Sequence, residues 1–122
     1  MPDTSSEFGW AHKGRVLCGH WDKASGIEYQ FDVVCGTSVV VFVKTEDPRF
    51  RSPEGFAIGD SLADAVATPG ASLRPIEDSC GVVLPSGWIA RPASRIAVER
   101  DEECTELLAG GIAYFETRYV GP

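Results

Sequence analysis

The sequence predicts an α+β fold: a single domain with a mainly antiparallel β-sheet of about six or seven strands and one or two short helices packed on one face. Three observations predict it. Thirteen glycines and eight prolines in 122 residues punctuate the chain too often for long helices. Several runs alternate apolar and polar residues with the period of two that a half-buried strand shows. Only two short stretches, 61–68 and 101–109, carry apolar residues at helical spacing ahead of a stop signal. A chain of this length is one domain and buries roughly two-thirds of the surface its unfolded form exposes.

Residues 1–13 are polar, with Phe8 and Trp10 as the only anchors, and read as a loose N-terminal arm ahead of a domain spanning 14–122. A first strand is expected over 15–21. Asp22-Lys23-Ala24-Ser25-Gly26 is a turn cluster ending in glycine, as a hairpin loop of this length requires. Ile27, Tyr29, Phe31, Val33 and Cys35 then alternate with Glu28, Gln30, Asp32 and Val34, giving one buried face and one largely wet face. After Gly36-Thr37 come five consecutive apolar residues, 39–43, rich in valine. That density marks a central strand covered on both faces. Residues 45–53 form an extended loop whose two prolines limit its freedom.

Residues 52–70 carry the sharpest local signal. Ser61 is placed to cap a helix over 61–68, and Asp64 completes a capping box while sitting in the positive first turn. Leu62, Ala65 and Val66 give that helix one apolar face, and Pro69-Gly70 ends it. So short a helix does not persist alone in water, so it must lie on a sheet, and the run 39–43 is the surface expected beneath it. Beyond it, 71–79 reads as irregular. Residues 81–84 and 88–91 form a tight hairpin about Pro85-Ser86-Gly87, and 94–100 alternate as an amphipathic strand. Cys104, Leu107 and Leu108 share one face of a second short helix that stops at Gly110-Gly111, and a final strand is expected over 112–120.

The run from Gly55 to Val66, with Gly59-Asp60-Ser61, Asp64 and the following Pro69-Gly70, resembles a turn-and-helix signature of small exported bacterial domains. That signature is G-[IF]-x-[IV]-G-[DM]-[ST]-x-x-[DE]-V, and the resemblance covers about 20 residues. It occurs in domains of the β-lactamase-inhibitor-protein type and in the outer-membrane SmpA/OmlA lipoproteins. The tandem repeat of those families and a lipobox cysteine are both missing here. The resemblance implies a helix-on-sheet module that binds other proteins and performs no chemistry of its own.

Charge and cysteines narrow the setting. A formal net charge of −7 argues against nucleic acid as a partner, because phosphate binding needs clustered Lys and Arg, and it suits a basic protein. No apolar run approaches the ~20 residues needed to span a bilayer. Cys18, Cys35, Cys80 and Cys104 are even in number and contain no C-x-x-C pair, which speaks against zinc. Two disulfides in an exported protein are expected, and the local pairing Cys18–Cys35 with Cys80–Cys104 is favoured over the two alternatives. Four free thiols in a cytoplasmic protein is the competing account. Residues 1–7 show no basic segment followed by an apolar one. Either the protein is intracellular, or Met1 stands where a leader was removed.

Reactive constellations are weak. His12, Cys18, His20 and Asp22 could be drawn as a metal or Cys-His site, yet Cys18 is wanted for a disulfide and no second spaced pair completes a ligand set. Ser86 stands in Pro85-Ser86-Gly87, not in the strand-to-helix elbow of a hydrolase. Gly55 and Gly59 precede a helix start, but Glu54, Asp60 and Asp64 make the place electronegative and ill-suited to phosphate. No catalytic residue, metal or cofactor is therefore expected. Recognition candidates are Arg49, Phe50 and Arg51 on the proline-bounded loop, Trp88 on the tight hairpin, and the acidic set Asp101, Glu102, Glu103 and Glu106. The function expected is a non-catalytic binding or inhibitory module for a basic hydrolase or toxin-like effector. The alternatives are an intracellular anti-defence or immunity protein opposing a basic nucleic-acid-acting enzyme, and a small enzyme.

Overall fold

The computed structural model describes residues 11–12, 15–76, 79–93 and 101–118. Within them the chain forms β1 (Ala11–His12), β2 (Arg15–Ala24), β3 (Ile27–Val34), β4 (Val40–Thr45), α1 (Leu62–Val66), β5 (Ser72–Ile76), β6 (Ser79–Val83), β7 (Ile89–Pro92), α2 (Asp101–Leu107) and β8 (Ile112–Arg118). Every strand pairing is antiparallel. The order across the sheet is β1-β2-β3-β4-β8-β7-β6-β5, with the two-residue β1 appended to a seven-stranded body. Two meanders, β2–β3–β4 and β5–β6–β7, therefore approach each other from opposite edges, and β8 slots between them. The expected strand over 94–100 and the arm residues 1–10 and 13 lie outside the described residues.

The period-two runs become the strands they announce. β2 and β3 pair over eight positions, from Leu17↔Val34 to Ala24↔Ile27, about a Ser25–Gly26 turn whose two residues both have positive φ. β4 joins β3 with one extra residue: Asp32 pairs with Phe42 and Val33 with Val40, so Val41 is a bulge. The stretch 71–79, expected to be irregular, instead contains the edge strand β5. Arg74 and Pro75 blur its alternation, and proline is tolerated because β5 has a neighbour on one side only among the described strands.

α1 forms as its cap and stop dictate. The Ser61 hydroxyl accepts the Asp64 N–H at 3.3 Å, and the chain leaves the helix through Gly70 at φ +87°. Asp60 holds the Ala57 N–H at 2.8 Å, while Gly59 N–H and Asp60 O bond to Ile112 O and N–H, both at 2.8 Å. The start of α1 is thereby tied to the start of β8, so the helix packs on β6 and β7 and not, as expected, on β4. Its buried Leu62 and Ala65 join Phe50, Val82, Leu84, Ala90, Ile112 and Phe115 in the main core. α2 packs beside it on β5 and β6. Cys80 and Val82 alternate onto the same side of β6, so both helices cover one face of the sheet. A separate, thin cluster of Leu17, Val34 and Val41 serves the other half.

Both disulfides form in the local pairing, Cys18–Cys35 and Cys80–Cys104. Each stabilises by roughly 3 kcal/mol through restriction of the unfolded chain. Bonds of this kind persist in an oxidising environment. No helix among the described residues is long and apolar enough to cross a membrane.

Candidate protein-binding surface

Of the residues drawn as a reactive site, Cys18 is committed elsewhere. It is locked in a disulfide, His20 is half-buried on β2, and the side chain of His12 lies outside the described residues. Among the described residues no group of three or more His, Cys, Asp or Glu is placed to hold a metal ion. Ser86 is a tie: its N–H and its hydroxyl donate to the two carboxylate oxygens of Glu54, at 2.8 and 3.0 Å. Partial burial works to raise the Glu54 carboxyl, but the bonds from Ser86, helped by Glu54's own backbone and Ser52, leave it below its ordinary value. Gly55 and Gly59 adopt positive φ in the turns that lead into α1.

The loop between β4 and α1 is rigid for reasons written into its residues. The Asp47 carboxylate accepts the N–H groups of Glu28 and Arg49 at 3.0 and 2.9 Å, and Arg49 Nε and Nη2 at 3.0 and 2.7 Å. The Arg49 side chain, followed by those two backbone N–H groups, holds the Asp47 carboxyl far below the usual carboxylate range. Arg51 turns back to donate to the carbonyls of Pro48 and Phe50, both at 3.2 Å. Arg49 and Arg51 are exposed, as a recognition loop requires. Phe50 is not: it is 5 % exposed and a core residue. Its ring lies 5.0 Å from that of Phe115 and 4.7 Å from that of Trp88, so burial of a large aromatic surface outweighs its exposed neighbours. Trp88 is half-buried in the same stack. Sequence reasoning picked a pair that the fold does bring together, as an anchor beneath the loop. The acidic set falls on α2; Glu106 is exposed there, while the side chains of Asp101, Glu102 and Glu103 lie outside the described residues.

Residues that sequence reasoning missed lie at the opposite end of β4. A groove of about 510 Å³ is lined by Ser38, Val39, Val40, Phe42, Val43, Thr117 and Arg118. Its origin is geometric. The Val41 bulge bends β4, the described pairing of β4 with β8 stops at Phe42↔Arg118, and α1 has gone to the other half of the sheet. Val39 is 44 % exposed, and Val16, whose carbonyl accepts the Cys35 N–H at the same end of the sheet, is 59 % exposed. The Arg118 guanidinium lies over the Phe42 ring at 5.8 Å. The available signal was the position of Val39: it stands two residues past the Gly36-Thr37 turn, too early to be enclosed, and one two-turn helix cannot cover two sheet halves.

Comparisons with protein-family models, with curated protein sequences and with solved structures find no match.

Proposed function

We propose that this protein is a non-catalytic binding or inhibitory module, acting outside the cytoplasm, that recognises a basic protein such as a hydrolase or toxin-like effector. The observation that carries the reading is the apolar groove at the end of β4 and β8. Apolar side chains left open at the end of a strand, beside the Arg118 guanidinium, support docking of a partner there. The occupant is an apolar side chain of the partner, and the partner is basic because the chain carries a net charge of −7 that steers and orients such a protein. Arg49 and Arg51, already immobilised, lose little freedom on docking, and Glu106 adds to the field from α2. Two disulfides support export to a periplasmic or extracellular space.

Calorimetric titration against a panel of purified basic hydrolases tests this. Binding should weaken as salt rises from ~50 to 300 mM. Val39→Asp should cost on the order of 2 kcal/mol, about thirty-fold in affinity. Affinity indifferent to salt sinks the basic partner, and full affinity in Val39→Asp sinks the groove.

A further inference from the structure

The two disulfides differ in how an external thiol can reach them. Cys80 and Cys104 are 1 % and 0 % exposed, enclosed with Leu73 and Leu107 between α2 and the sheet. Cys18 and Cys35 are both half-buried, at the end of the β2–β3 ribbon away from its Ser25–Gly26 turn. We infer that Cys18–Cys35 is a thiol-exchange site, opened by a small or protein dithiol while Cys80–Cys104 stays closed, and that opening it reshapes the apolar groove.

The chemistry needs one co-reactant, a dithiol. Its thiolate attacks one sulfur of Cys18–Cys35, forming a mixed disulfide and releasing the other cysteine as a thiolate that takes a proton from water. The second thiol of the reagent then displaces the remaining cysteine. The reagent leaves as a disulfide, and Cys18 and Cys35 are left as two thiols. Access governs the rate, because attack requires the incoming sulfur to line up with the bond it breaks.

What the bond holds is local. Eight paired positions keep β2 on β3 with or without it. Cys35, in contrast, sits between the end of β3 and the turn that leads to the groove wall. Val34 N–H donates to Val39 O at 2.9 Å, and Val39 N–H donates to the Thr37 hydroxyl at 3.1 Å. Ser38, Val39 and Val40 form that wall. The disulfide ties the turn to β2 alongside the Cys35 N–H bond to Val16 O, so reduction leaves that hydrogen bond to hold Cys35 and loosens the wall while the sheet persists. Loss of Cys80–Cys104 would instead release α2.

The consequence for binding rests on the groove being the docking site, so the test reads labelling and amide exchange and not partner capture. The intact protein is titrated with dithiothreitol, newly formed thiols are alkylated and mapped by mass spectrometry, and hydrogen exchange is followed in parallel. Cys18 and Cys35 should be labelled about tenfold faster or more than Cys80 and Cys104, since the enclosed bridge reacts only after local opening. Exchange at 36–43 should rise with β6, β7 and β8 unchanged, and the double variant Cys18→Ala/Cys35→Ala should reproduce this while staying folded. Simultaneous opening of both bridges, prior opening of Cys80–Cys104, or exchange at 36–43 unmoved after Cys18–Cys35 is reduced overturns the inference.

Discussion

Asp32 carries a cost that the rest of β3 does not. It is 9 % exposed, and its Oδ1 has no hydrogen-bond partner among the described residues. Burial raises its carboxyl above the ordinary value, and His20 works the other way. The sign follows from linkage. A raised pKa means that the folded chain binds the proton more tightly than the unfolded chain. Stability therefore falls as pH climbs through the interval between the ordinary and the raised value. Asp32→Asn removes that loss. Its thermal midpoint should exceed the parent's at pH ~7, with the gap closing under acid conditions where the parent carboxyl is neutral. A midpoint lower at neutral pH would show that the charge is stabilising. The strand itself was legible, because Ile27 to Val34 alternates cleanly. That a wet-face aspartate ends up enclosed was not, because its shielding is made by the fold and not by its neighbours in sequence.

At the scale of elements, local chemistry was readable and destination was not. The Ser61 cap, the Pro69-Gly70 stop and the tight Pro85-Ser86-Gly87 hairpin are all contained within a few residues, and all appear. Where α1 lands depends on Gly59 and Asp60 bonding to Ile112, about fifty residues away. No local pattern announces such a bond. Phe50 could be read both ways from its loop: two flanking arginines suit a surface anchor and the aromatic ring suits the core, and the ring turns inward. β6 shows how tightly elements meet. A methyl group on Gly81 would approach Ile89 Cγ2 to 2.6 Å, Ile76 Cδ1 to 2.9 Å and Arg91 Cδ to 3.0 Å. Gly81→Ala should therefore destabilise by about 1–3 kcal/mol in urea unfolding, as overpacking does elsewhere. An unchanged midpoint would mean that the β5–β6–β7 layer can spread without loss.

For the whole molecule, β8 decides cooperativity. Among the described strands it alone pairs with both meanders, Thr45 and Ala90 flanking Phe115 from either side. Phe115 is fully buried in the main core. Phe115→Ala should cost about 3–5 kcal/mol, and the loss should appear as one shifted transition by both fluorescence and circular dichroism. Two separated transitions would mean that the halves are independent units. Neighbouring positions on this strand face opposite sides. On the side away from the helices Glu116 is buried in an ion pair with Arg91, and both side chains are 5 % exposed or less. If β8 slid by a single residue, the carboxylate would enter the hydrocarbon side among Phe50 and Leu62, and Arg91 would keep its charge with nothing to neutralise it. Either fault costs several kcal/mol. The pair thus works as a parity check on the closing strand, so that the near-miss pairing is rejected by an unpaired charge before it can persist as a trap.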